Sequence, residues 1–172
     1  MGFYAIKIKT VGLRIVGPAL LLCIFLAGCS SPEQQKQRRL SALNSFAKTA
    51  VQDLLDRNPA TMSESMNRVF SYEFSEEARQ KLMRSNLLPE TGLSVERIIQ
   101  EQQSKKASNS VSISKIKPLG TITRTVVPVH ITGVQTALQG GKQLSKHPLD
   151  LTLKIMLPSD PDVNPQVVDV GS

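Results

Sequence analysis

Tryptophan is absent from this chain, aromatic residues make up only 4% of it, and it holds two histidines and two cysteines. Each scarcity removes a class of function. A single-stranded nucleic-acid groove interleaves basic residues with aromatic stacking platforms. Here the basic residues are interspersed with acids and have few rings between them, so direct nucleic-acid binding is not expected. A zinc site draws on three or four N, S or O ligands, and neither His130 nor His147 belongs to a cluster of such residues at ligand spacing. His130 reads as a strand residue and His147, which precedes Pro148, as a loop residue; no metal site is expected. There is no G-x-S-x-G elbow, P-loop or dinucleotide-binding fingerprint. Gly140-Gly141 is not followed by a helix with Lys-Ser or Lys-Thr, so it reads as a hairpin turn and not as a phosphate cradle. Any two acids can meet in space, but nothing in the sequence marks a carboxylate pair. The expectation is a non-enzyme without a cofactor.

Long apolar runs are also lacking. The longest, Ile15 to Leu26, is interrupted by Gly17-Pro18 and falls short of the roughly 18 residues of a spanning helix. Lys7, Lys9 and Arg14 precede or open it, and no acid occurs in the first 28 residues. This is the layout of a secretory signal. It ends in Leu26-Ala27-Gly28-Cys29, which resembles the lipobox of bacterial lipoproteins. The resemblance implies that the Cys29 thiol takes diacylglycerol, that residues 1–28 are removed as a lipoprotein signal peptide together with Cys23, and that the new amino terminus is acylated. Several acyl chains on one residue suffice for stable anchoring. Directly after the cysteine, where such lipoproteins carry an aspartate when retained at the inner membrane, this chain has Ser30, followed by Ser31, so the expected place is the outer membrane, facing the periplasm.

Removal of residues 1–28 takes three positive charges and no negative one, leaving a formal +4 on 144 residues. That length fits one domain and a tether. With Cys29 acylated no disulfide can form, so the fold must hold by its core. Residues 29–39 read as a lipidated tether and 40–172 as a periplasmic domain. The cluster Lys36-Gln37-Arg38-Arg39 is open to two readings, contact with lipid head groups or the solvated start of a helix.

From Leu40, apolar residues recur at steps of three and four through Leu43, Ala47, Ala50, Val51 and Leu54, a helical stripe closed by Asn58-Pro59. A second helix is expected from Thr61 to Phe70. Ser75-Glu76-Glu77 reads as an N-cap with acids in the first turn, opening a helix that stops around Leu87-Leu88-Pro89. Thr91-Gly92 opens another. The period then shortens: Val111, Ile113 and Ile116 read as a strand with a bulge near Lys115, and Thr121 to Ile131 is β-rich with Pro128 marking an edge or irregularity. Leu149, Leu151, Leu153, Ile155 and Leu157 alternate with Asp150, Thr152, Lys154 and Met156 as a strand with one apolar face. A short Val167-Val170 segment follows three prolines. The expected class is α+β, N-terminal helices packed on a curved antiparallel sheet of three to four strands.

The segments FAKTAVQDLL, FSEEARQKLMRS, TRTVVPVHITGVQTALQGGKQLSKHPLDLTLKIMLP and DPDVNPQVVDVG, in that order, resemble the periplasmic domain of the DotI/IcmL family. That family is similar to VirB-type assembly factors and has a fold like nuclear transport factor 2, a cone of helices on a sheet. The resemblance implies a structural or assembly part of a type IV secretion or conjugation apparatus, with other apparatus subunits as partners and homo-oligomerisation left open. Members of the family usually carry a transmembrane helix where this chain has a lipobox. The competing expectation is a ligand-binding or general envelope lipoprotein whose pocket, between helices and sheet, is lined by Met62, Met66, Phe70, Phe74 and Ile98. The alternative for those side chains is that they fill the core.

Overall fold

The computed structural model describes residues 31–160 and 163–171. Helix α1, Pro32–Leu55, begins well before the apolar stripe that announces it. Ser31 caps it: the hydroxyl accepts from the Gln34 amide, the Gln34 side chain returns to the Ser31 amide, and Pro32 follows at a position that needs no donor. Most of the stretch read as tether is therefore helical. Its polar composition masks this, because residues 32–38 are exposed and carry no core face. From there the helix turns Leu43, Ala47, Ala50, Val51 and Leu54 inward, each at 0% exposure. Full burial of a Leu or Val side chain contributes about 1.5–3 kcal/mol, so this stripe ties α1 firmly to the sheet.

At the far end, Arg57 donates to the carbonyls of Leu54 and Asp56, and Asn109 of the first strand bonds Leu55 O and Arg57 N. Helix α2, Met62–Arg68, is shorter than expected and passes into a π-helical turn, Val69–Glu73. Ser75 then caps α3, Glu76–Arg84, as read from the sequence. This helix ends before Leu87: Asn86 takes a left-handed φ of 57°, and the Asn86 and Leu87 amides reach back to Met83 O and Leu82 O, a stop that asparagine tolerates well. Thr91 caps α4, Gly92–Ser104.

Four antiparallel strands follow in the order β1-β2-β3-β4: Ala107–Pro118, Val126–Gln139, Lys142–Met156 and Gln166–Gly171. The class is thus α+β, with helices packed against an open four-stranded sheet. Gly140 and Gly141, at φ 56° and 78°, make the two-residue β2–β3 hairpin. The bulge expected near Lys115 falls between Ile113 and Lys115. Opposite it, Gly133 lies so close to β1 that an added Cβ would sit 2.3 Å from the Ser112 carbonyl oxygen. Strand β2 begins at Val126, later than the β-rich run, and it is interior. Pro128 is tolerated because β1 ends at Pro118, which pairs with Val129, leaving the Pro128 carbonyl to accept from Leu119 N and no strand carbonyl in need of its missing N–H. His147 is in β3 and not in a loop. Pro148 fits there because β4 pairs only with Thr152–Met156, so that half of β3 is an edge.

The alternating residues of β3 point inward, Leu153 and Ile155 at 0% exposure, beside Val127, Val129 and Ile131 of β2. Helix α1 lies over β1 and β3, α2 packs on α1 and α4, and α3 lies beside β4. Phe74, 1% exposed, closes this layer through a bridge to Val167.

Candidate functional site

Leu26, Ala27 and Gly28, expected to form a lipobox, and the expected lipidation site Cys29 lie outside the described residues. Cys29 precedes the Ser31 cap of α1 by two positions in the sequence.

The helical layer brings together a charged cluster from residues distant in the sequence. Asp53 of α1, 6% exposed, receives two hydrogen bonds from the Arg68 guanidinium, Nε to Oδ2 and Nη2 to Oδ1. Arg68 Nη1 also reaches Glu64 Oε1 at 2.6 Å, and the Ser65 hydroxyl donates to Asp56 Oδ2 at 2.8 Å. Glu73, the last residue of the π-helical turn, is 2% exposed beside Asp53, and its Oε2 has no hydrogen-bond partner. Burial, then the neighbouring Asp53 charge and a hydrogen bond to Asp53, push the Glu73 carboxyl up to about 8. Asp53 feels burial too, but hydrogen bonds from Arg68 and Glu73 outweigh it and hold its carboxyl below the ordinary value. Arg68 is correspondingly pushed up by its bond to Asp53. The raised Glu73 carboxyl and the lowered Asp53 carboxyl together favour the proton on Glu73 and the negative charge on Asp53, beside Arg68.

A sequence signal for this cluster existed. Glu73 continues the spacing of Met62, Met66 and Val69, and Asp53 follows Ala50 by three, so both acids sit on the core-facing side of helical stripes. The chemistry open to the cluster is limited. Asp53, Ser65 and Arg68 border an open recess of about 300 Å³ with Asp56 and Asn109, but Glu73 does not border it. Both Asp53 oxygens are already engaged by Arg68. The arrangement fixes α1 against α2 more readily than it presents a free acid and base to a substrate.

Met62, Met66 and Phe74 are 0%, 2% and 1% exposed and fill the core, with Phe70 packed against it. Of the five side chains considered for a pocket, Ile98 alone borders one of the larger recesses, an open one of about 430 Å³ shared with Arg57 and Arg97. Burial holds the Arg57 guanidinium below its ordinary value, but its donors already serve the carbonyls of Leu54, Asp56 and Leu87. His130 Nε2 pairs with Asp150 Oδ1 at 2.8 Å on the solvent side of the sheet, and His147 Nε2 meets Ser145 Oγ at 3.0 Å. Among the described residues no group of three or more His, Cys, Asp and Glu is arranged to hold a metal ion, and no helix is long and apolar enough to cross a membrane.

A second ionic cluster lies at the surface. Asp169 of β4 takes Lys81 of α3 at 2.9 Å and Lys154 of β3 at 2.8 Å. The Lys154 and Lys81 bonds lower its carboxyl to about 2. This ties the last strand to its neighbours on both sides. No model of a known protein family and no curated protein matches the chain.

Proposed function

We propose that this protein is a lipid-anchored, periplasm-facing structural or assembly component of a type IV secretion or conjugative transfer apparatus. The observation that carries the reading is a lipobox, Leu26-Ala27-Gly28-Cys29, placed directly ahead of a helices-then-meander domain. In this reading Cys29 bears the acyl chains at the outer membrane, and the domain docks on other subunits of the apparatus or on copies of itself. The resemblance of its segments to the DotI/IcmL family supplies the assignment to secretion or conjugation. The charged side chains support a docking role over turnover: Asp53, Arg68 and Asp169 are committed to one another or to lysines that join elements of the fold. A ligand-binding role between helices and sheet has less support, since Met62, Met66 and Phe74 are packed in the core.

The test is affinity purification of the lipidated, carboxy-terminally tagged protein from its native membrane, with identification of what accompanies it. Secretion-channel subunits are expected. Recovery of general envelope proteins alone, with transfer unchanged in a deletion strain, would remove the secretion role and leave the anchor standing.

A further inference from the structure

We infer that the first two turns of α1 dock on anionic phospholipid head groups of the membrane that carries the anchor, and that this contact sets the orientation of the whole domain. The inference rests on Cys29 being the acylated residue. It names the surface that the anchor brings to the bilayer.

The first observation is that residues 32–38 form a helical spur that the rest of the fold leaves uncovered. Its charge is one-sided: Glu33 is the only acid, against Lys36, Arg38 and Arg39. Among the described residues no ion pair engages Lys36 or Arg38, a state they share with surface cations such as Lys48, Lys115 and Lys146; what sets them apart is their nearness in the chain to Cys29. Their charge is therefore free to meet phosphate, which guanidinium binds through paired donors and ammonium as a point charge.

The second observation is distance. Only Ser30 and Ser31 separate Cys29 from the helix, so three chain steps, at most about 11 Å, join Cys29 to Pro32. Lys36 lies one turn further, a rise of about 6 Å. At full reach Lys36 and Arg38 thus lie about 17 and 20 Å from Cys29, a little over two Debye lengths of roughly 8 Å at physiological salt, and a helix inclined toward the bilayer brings both nearer, where attraction to an anionic leaflet acts. A flexible tether of the length first expected would have let the cluster wander over about 18 Å. The capped helix removes that freedom.

The third observation explains why docking of the spur orients the body. Arg39, at the base of the spur, donates to Arg124 O at 3.0 Å and Leu157 O at 3.3 Å. The loop before β2 and the end of β3 are thereby fastened to the helix where it leaves the domain. Arg124 adds a further cation at this junction. The helix continues without a break to Leu55 in the core, so the sheet inherits the tilt of the spur.

The test uses the full lipidated protein with a fluorophore at Gln35→Cys, reconstituted in vesicles of phosphatidylcholine alone or with phosphatidylglycerol added, and probed with acrylamide, a neutral quencher. Shielding of the fluorophore is expected only in the anionic vesicles. It should vanish at high salt, and the ratio of shielded to exposed protein should fall about fivefold for each of Lys36→Ala and Arg38→Ala. Both substitutions are on an exposed face, and circular dichroism checks that the fold is retained. Equal quenching in the two vesicles, on protein whose amino-terminal peptide carries the acyl mass, would overturn the docking while leaving the anchor intact. Shielding seen only in native membranes would also overturn it and give the spur to a protein partner. Absence of the acyl group from Cys29 would overturn the anchor and the inference together.

Discussion

Arg68 holds the Asp53 carboxylate by two parallel hydrogen bonds, each 2.7 Å long, and so joins α2 to the buried side of α1 across fourteen intervening residues. A fork of this kind is stronger and more directional than a single bond. Because Asp53 is 6% exposed, the pair is valued by what its loss leaves behind. Removing one partner strands a charge in a poorly solvated place.

Arg68→Met is therefore expected to destabilise the fold by about 3 kcal/mol, read as a drop in the urea midpoint at unchanged slope. A loss below about 1 kcal/mol, the range of an exposed ion pair, would mean that water reaches Asp53 and the pair is superficial.

Glu73 predicts a stability that declines toward alkaline pH. Its carboxyl ionises at about 8 in the fold against an ordinary 4.5, so the folded state holds the proton that the unfolded chain has released. The contribution is full below 4.5 and is lost as pH rises through the folded value. Asp53 and Asp169 act in the opposite sense, since their lowered carboxyls stabilise above 3.8 and lose that contribution in acid. Glu73→Gln, which keeps a neutral group, should match the parent in mild acid and exceed it by on the order of 2 kcal/mol above the Glu73 titration. Parallel pH profiles for the two proteins would refute a neutral Glu73.

Gly133→Ala tests the β1 bulge. The new Cβ would lie 2.3 Å from Ser112 O, with Ile113 Cα at 3.0 Å, so the two strands must part. A cost of about 2–3 kcal/mol is expected, with amide exchange accelerated on both sides of the Ile113–Gly133 pair. Retention of parental stability would show that β1 shifts freely at this point.

Cys29→Ala should abolish incorporation of labelled fatty acid and leave the leader uncleaved, whereas Cys23→Ala should change neither. Labelling that survives loss of Cys29 would place the acyl group elsewhere.

The legible parts of the fold are those fixed by local chemistry. Ser75 before Glu76-Glu77, Gly140-Gly141 between β-rich runs, and the Leu149 to Leu157 alternation each specify a cap, a turn and a face without help from distant residues. The start of α1 was hidden because the helical period of apolar residues opens only at Leu40, although the Ser31-Pro32-Gln34 cap was present to be read. The π-helical turn left no mark in the sequence. The Asp53–Glu73 encounter depends on how two helices meet, and was visible only as acids on apolar stripes. His147-Pro148 looked like a loop because an X-Pro pair favours extended backbone in turns and edge strands alike. Its place followed from the short reach of β4, a matter of tertiary pairing.

The unbroken run of α1 from Pro32 to Leu55 has a mechanical consequence. Tension applied at its amino end travels along a stiff rod whose inner half is seated in the core by its own Leu43, Ala47, Val51 and Leu54. Such a pull must shear a packed helix along the sheet; it cannot simply peel away a loop. Movement of the amino end is thus delivered to the centre of the domain with little slack.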